Sequence, residues 1–190
     1  MRSDIILCGV GGQGTILASK LISSAAMERG LPVKTAETIG MSQRGGSVFS
    51  HVRLGEGAAC PLIGRGRADL IIAFEPAEAA RQLSFLKPGG TLVVSDKPIV
   101  PVSATIGGPV YDLEAIMAYL REQVDGLVIV DAEAAMEDLG SAKCLNVVLL
   151  GAAARSGALG LSTDDIRSAI LRIVPERFHD LSLRALEYAN

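Results

Sequence analysis

Tryptophan is absent from this 190-residue sequence, and aromatic residues make up only 4% of it. A core without large rings has to be assembled from Val, Ile, Leu and Ala, which suits a parallel sheet buried on both faces by helices. Cysteines number three (Cys8, Cys60 and Cys144), and no C-x-x-C spacing occurs. A zinc or iron–sulfur site held by this chain alone is therefore not expected. Cys8 and Cys144 read as small buried hydrophobes, and Cys60 as a loop residue before Pro61. The two histidines, His51 and His179, have no Ser, Cys or acidic partner at a telling spacing, so both read as structural. No catalytic residue and no metal ligand is assigned on this chain. A basic excess is also missing: 18 Lys and Arg face 21 Asp and Glu, for a net charge of −3. That argues against nonspecific nucleic-acid binding. No apolar run approaches the roughly 20 residues that cross a membrane, so no membrane association is expected. The odd cysteine count and the lack of a leader-like segment point to a reducing cytoplasm.

What is present is an apolar fraction of 49% against 21% charged residues, which marks a globular chain. The length suits one domain over residues 1–190. Strand-like and helix-like segments alternate. Strands are expected near 4–8, 33–36, 47–54, 69–74, 91–95 and 127–130, with the one at 47–54 a candidate for antiparallel pairing. Ile16, Leu17, Leu21, Ile22 and Ala25 recur at helical spacing and make one apolar stripe, ended by Gly30. Further helices are expected from Pro76 to about Leu86, from Asp112 to about Val124, and over 142–156, 163–173 and 176–188, with Ser162 capping the second-last. Lys87-Pro88-Gly89-Gly90 reads as a turn, and 99–110 as a Pro- and Gly-rich connection. The fold class is α/β: a three-layer α/β/α arrangement around a Rossmann-like, mostly parallel sheet, with a helical C-terminal end.

Two loops carry the chemistry. Strand one runs into Gly9-Val10-Gly11-Gly12-Gln13-Gly14, which satisfies G-x-G-x-x-G at Gly9, Gly11 and Gly14. Such a turn lets backbone approach a ligand closely, while the following helix points free N–H groups and its positive dipole end at the same place. Gly12 adds freedom, and Gln13 has an amide to offer to a phosphate or a partner loop. The alternative is turn geometry alone. The second loop, Ser42-Gln43-Arg44-Gly45-Gly46, follows strand two. An Arg guanidinium holds phosphate or carboxylate with two parallel hydrogen bonds, and paired glycines let N–H groups approach the same anion. A solvated loop arginine or an internal salt bridge is the alternative. Following strand two, this loop should share a sheet edge with the first.

Glu37 lies about 23 residues after Gly14. In a dinucleotide-binding fold an acid there holds the ribose hydroxyls, which supports a free-standing NAD(P)-binding oxidoreductase as a rival reading. Pairing with Arg44 is the plain alternative. Glu75 ends another strand, where a ligand contact and a helix-capping role compete. Asn146 stands in an otherwise apolar helix, and a buried amide must find partners, so it should hold a loop in place.

Taken together, Gly9–Gly14, the stretch Gly40-Met41-Ser42-Gln43-Arg44-Gly45-Gly46-Ser47-Val48, and Lys143-Cys144-Leu145-Asn146 followed by an apolar run and Gly151-Ala152 resemble the gamma-type subunit of the 2-oxoacid:ferredoxin oxidoreductases. The resemblance spans Asp4 to Leu186. Gly-Met-Ser-Gln before Arg44 is more similar to the small (beta) subunit of indolepyruvate:ferredoxin oxidoreductase than to pyruvate-type members. A departure lies at Ser182-Leu183-Arg184-Ala185-Leu186, where the family often has Asn-Leu-x-Ala-Phe.

The resemblance implies a division of labour. Oxidative decarboxylation of a 2-oxoacid to an acyl-CoA would occur with a large partner subunit that carries thiamine diphosphate, Mg²⁺ and the iron–sulfur clusters. Electrons would pass to ferredoxin through the complex. This chain would supply a non-thiamine subunit, inactive when isolated, with coenzyme A at a composite site. The residues carried over as cofactor-binding are Gly9, Gly11, Gly12, Gln13, Gly14, Ser42, Gln43, Arg44, Gly45, Gly46 and Asn146. An exposed partner face leaves homodimers open for isolated copies. A nucleotide-sensing or scaffold subunit is a third reading of the same anion site.

Overall fold

The computed structural model describes residues 2–38, 46–57, 59–101, 108 and 110–188. The expected loop residues Ser42, Gln43, Arg44 and Gly45 lie outside them, as does most of the 99–110 connection.

Six strands form one sheet: β1 (Ser3–Val10), β2 (Val33–Thr38), β3 (Ser47–Leu54), β4 (Ala68–Ala73), β5 (Leu86–Ser95) and β6 (Gly126–Val130). Their spatial order is β2-β3-β1-β4-β5-β6. The pairs β1–β4, β4–β5 and β5–β6 are parallel, while β3 is antiparallel to both of its neighbours. The antiparallel strand expected over 47–54 is therefore present, and it is inserted between β1 and β2. Every residue of β1 is buried. A strand covered on both faces reads as a continuous apolar run, which is how Ile5-Ile6-Leu7-Cys8 looks in the sequence.

Seven helices appear among the described residues: α1 (Thr15–Glu28), α2 (Pro76–Gln82), α3 (Leu113–Gln123), α4 (Ala132–Leu139), α5 (Leu145–Arg155), α6 (Thr163–Ile173) and α7 (His179–Glu187). Helix α4 is the one the periodicity does not bring out. Its N-cap Asp131 accepts from the Ala134 N–H at 2.9 Å. The expected turn at Lys87–Gly90 is an excursion inside β5. Ala68 to Leu70 advances two residues along β4 while the partners Leu86 to Thr91 advance five.

The sheet divides the core in two. Ile5, Leu7, Leu70, Ile72 and Val93 face α1, α4, α5, α6 and α7. Ile6, Cys8, Ile71, Leu92 and Val94 face α2 and α3. Thus α1 leaves β1 on one face and α2 leaves β4 on the other. The carboxyl ends of β1 and β4 consequently flank a topological switch point, where open α/β sheets form their ligand crevice. Helices α5 and α7 cross closely over the first face. A Cβ added at Gly151 would come within 2.2 Å of the Leu186 carbonyl oxygen, so only glycine permits this approach.

Candidate functional site

The glycine turn sits at that switch point. Gly14 has φ +86° and stands as the N-cap of α1, and Gly12 has φ +104°, conformations that favour glycine at both positions. Gly9 is required for a different reason: a Cβ there would lie 2.7 Å from Gln13 Oε1 and 2.9 Å from Phe74 Cβ. Gln13 itself turns inward. Its Oε1 accepts from the Val10 N–H at 2.7 Å, and its Nε2 donates to the Phe74 carbonyl at 2.8 Å. Both ends of this amide are engaged, so Gln13 staples the turn to the end of β4.

Gly46, the last residue of the second loop, meets the glycine turn. The Gly11 N–H donates to the Gly46 carbonyl at 2.9 Å, and Val10 pairs with Ser47 in the sheet. Asn146 reaches the same turn from α5. It is 5% exposed. Its Oδ1 accepts from the Val147 N–H at 2.9 Å, while its Nδ2 makes no hydrogen bond among the described residues. That nitrogen would lie 2.7 Å from a Cβ at Gly14. Asn146 thus packs against Gly14 without a hydrogen bond to the turn and keeps a donor beside it.

Between these elements lies a cleft of about 410 Å³, lined by Gly12, Gln13, Gly14, Lys97, Lys143, Asn146 and apolar residues that include Ile99. Lys97 follows the carboxyl end of β5, and Lys143 precedes α5. Neither is ion-paired among the described residues, and the Lys97 ammonium touches only Met136 Sδ at 3.6 Å. The start of α1 adds unpaired backbone N–H groups at Thr15, Ile16 and Leu17. Positive charge, N–H donors and a helix N-terminus converge, which is the chemistry of an anion site. The sequence reading missed both lysines. Each lies next to a chain reversal far from the glycine motif in sequence, and only the sheet order brings them together.

The remaining candidates separate. Glu37 is exposed on β2, level with Ser50, and β3 stands between it and β1. At about 4.8 Å per strand this puts Glu37 roughly 10 Å from β1, one strand farther out than the ribose-binding acid of a dinucleotide fold. Glu75 is buried and caps α2, accepting from the Glu78 N–H at 2.9 Å. Cys8 is fully buried; burial, and then the Glu78 and Glu75 charges, push its thiol well above the ordinary value. It is no thiolate nucleophile. Burial and the Arg53 charge hold the His51 imidazole below its ordinary value, and its Nδ1 accepts from the Ile63 N–H at 3.2 Å. Among the described residues no three His, Cys, Asp or Glu side chains gather as a metal site, and no helix is long and apolar enough to cross a membrane.

A glycine turn at the switch point of a mostly parallel sheet, with two lysines lining the cleft beside it, defines the α/β class of the protein. The particular kind follows from comparison: the chain belongs to the pyruvate ferredoxin/flavodoxin oxidoreductase family, whose sequence model matches residues 4–190. It is 40% identical over 98% of its length to the indolepyruvate oxidoreductase subunit IorB of Archaeoglobus fulgidus, covering 93% of that protein. The keto/oxoacid ferredoxin oxidoreductase gamma subunit of Geobacter sulfurreducens has the same fold, with a TM-score of 0.70, 25% identity and coverage of 97% of this chain and 94% of that one. A 2-oxoglutarate:ferredoxin oxidoreductase from Magnetococcus marinus, solved with 2-oxoglutarate, coenzyme A and succinyl-CoA bound, contains the fold within a longer chain. There the TM-score is 0.71 at 22% identity, over 98% of this chain and 30% of that one. The expectation of a gamma-type small subunit of a 2-oxoacid:ferredoxin oxidoreductase is borne out, and the free-standing NAD(P) enzyme is set aside.

Proposed function

We propose that this chain is the non-thiamine subunit of an aryl-pyruvate, indolepyruvate-type oxidoreductase, and that the cleft at the glycine turn is its share of a coenzyme A phosphate site. The observation that carries the proposal is the convergence of Lys97, Lys143, the Asn146 amide and the start of α1 on Gly12 and Gly14. Phosphate is recognised by that donor set, and a nicotinamide ribose lacks its acid here. Bound coenzyme A would supply the thiol that takes up the acyl group. This chain's residues bind and orient: the lysines neutralise phosphate charge, Gly12 and Gly14 keep the backbone open to close approach, and Asn146 packs against Gly14. Ser42, Gln43, Arg44 and Gly45 would add donors from the loop that ends at Gly46. A large partner subunit with thiamine diphosphate, Mg²⁺ and iron–sulfur clusters would carry the electron chemistry to ferredoxin.

The test is co-expression with the large thiamine-binding subunit and assay of indolepyruvate-dependent ferredoxin reduction. The isolated chain should be inactive and the pair active. Lys97→Gln and Lys143→Gln should each raise the KM for coenzyme A about fivefold with kcat little changed, as expected for about 1 kcal/mol per exposed ion pair. Reduction that ignores coenzyme A, or lysine variants with an unaltered KM, would remove the cleft from the reaction. Activity with phenylpyruvate or pyruvate instead of indolepyruvate would revise the substrate class alone.

A further inference from the structure

Two buried carboxylates take no part in the proposed cleft. Glu75 and Glu78 are 1% and 2% exposed and lie on successive sides of the β4–α2 junction. Burying a charge is costly unless it is paired or hydrogen-bonded, so their partners show what they are for. Glu75 Oε1 accepts from the Tyr111 hydroxyl and, at 3.4 Å, from the Ile99 N–H, while its Oε2 accepts from the Glu78 N–H at 2.9 Å. Glu78 is ion-paired with Arg81 and accepts from the Ser47 hydroxyl at 2.6 Å.

The partners tie neighbouring segments to the β4–α2 junction, and one of them reaches the cleft. Ile99 lines the cleft itself and lies two residues after Lys97. Tyr111 closes the far end of the same connection, directly before the Asp112 cap of α3. Ser47 follows Gly46, whose carbonyl receives the Gly11 N–H. The glycine turn is attached one residue earlier, through Gln13 to the Phe74 carbonyl. Residues 74–78 therefore hold three separate segments at once.

We infer that Glu75 is a positioning residue: it clasps the 97–111 connection by both ends to the β4–α2 junction, and so fixes Lys97 and Ile99 opposite the glycine turn. Its consequence for affinity rests on the reading of the cleft as an anion site. The clasp depends on acceptance at both side-chain oxygens. Three donors face Glu75, and a carboxylate accepts them all. A glutamine has a single acceptor oxygen and would turn an N–H₂ group toward one of those donors. The Tyr111 phenol is raised above its ordinary value by burial first, then by its hydrogen bond to Glu75 and by the Glu75 charge.

The experiment compares the full chain with Tyr111→Phe and Glu75→Gln by amide hydrogen exchange, and measures coenzyme A affinity by calorimetry. Tyr111→Phe keeps the ring and removes only the donor, so it reads the clasp even where Glu75→Gln fails to fold. Both variants should speed exchange across 97–101 by about tenfold or more, with β1 and β4 unchanged. Both should weaken coenzyme A by about fivefold relative to the parent chain. Parental exchange at 97–101 in Tyr111→Phe would overturn the inference, and so would speeding that spreads equally through β1 and β4. A parent chain that does not bind coenzyme A even in complex with the large thiamine-binding subunit would defeat the reading of the cleft, while the exchange rates would still decide the clasp.

Discussion

At the residue scale the structure separates side chains that hold the turn from those that face a ligand. Gln13 looks in the sequence like a ligand group because it stands inside a glycine motif. Its two hydrogen bonds show that the motif needs an internal amide to close. Residue chemistry alone does not tell an inward amide from an outward one; the distance to Phe74, 61 positions away, decides it. Ser50 is the opposite case. It is fully buried on β3, and its hydroxyl has no partner among the described residues. An unsatisfied buried hydroxyl costs about 1–3 kcal/mol, so Ser50→Ala should leave stability unchanged or raise it by about 1 kcal/mol. Urea unfolding, read as a shift of the midpoint at constant slope, checks this. A clear loss of stability would mean that the hydroxyl has a partner in solution.

At the scale of elements, the sheet was largely legible and one helix was not. Strands with unbroken apolar runs, such as Leu70-Ile71-Ile72 and Leu92-Val93-Val94, declare burial on both faces. Helix α4 escaped because Ala132–Leu139 is short and alternates small apolar with acidic residues, so its buried stripe is only Ala132, Ala135 and Leu139. The expected turn at Lys87–Gly90 is instead a shift of register inside β5, because pairing with β4 resumes on both sides and the strand continues through it. The crossing of α5 and α7 yields a sharper prediction. Gly151→Ala puts a methyl against the Leu186 carbonyl, which neither helix can yield without moving. The Arg155 guanidinium, which donates to the same carbonyl at 2.8 Å, would be displaced as well. The expected cost is about 2 kcal/mol, or about 4–8 °C in Tm by calorimetry. An unchanged Tm would show that the helices slide freely.

At the scale of the whole molecule, the two ends of the sheet have different work. The carboxyl edge of the parallel strands carries the cleft. The opposite edge carries a structural charge cluster, in which Arg53 grips Asp4 through Nε and Nη2 at 2.8 and 3.0 Å, and Arg2 adds a third contact at 3.0 Å. Burial pushes the Asp4 carboxyl up, but the two arginines outweigh it and hold it below its ordinary value. His51 is likewise held below its ordinary value. Both shifts act in the same direction on acidification. Neutral His51 contributes stability above its unfolded value of about 6.5, and that is lost as pH falls toward its folded value. Ionised Asp4 contributes above about 3.9, and that is lost as pH falls through its lower folded value. Urea midpoints across this range should fall in two steps, and His51→Gln should remove the first. The family-level resemblance was legible from the two glycine loops and the Asn146 helix. The lysines of the cleft were not, because sheet order is a property of the whole chain.

The reversed strand has one more consequence. A right-handed crossover would carry the chain from the end of β2 to the far edge before the next strand could begin. Because β3 runs backwards, Thr38 and Ser47 both lie on the edge that holds the cleft. The connection between them begins and ends there, anchored at its exit by Gly46 and Ser47. Because Thr38 pairs with Phe49 and Ser47 with Val10, both ends of that span are pinned in register beside the glycine turn.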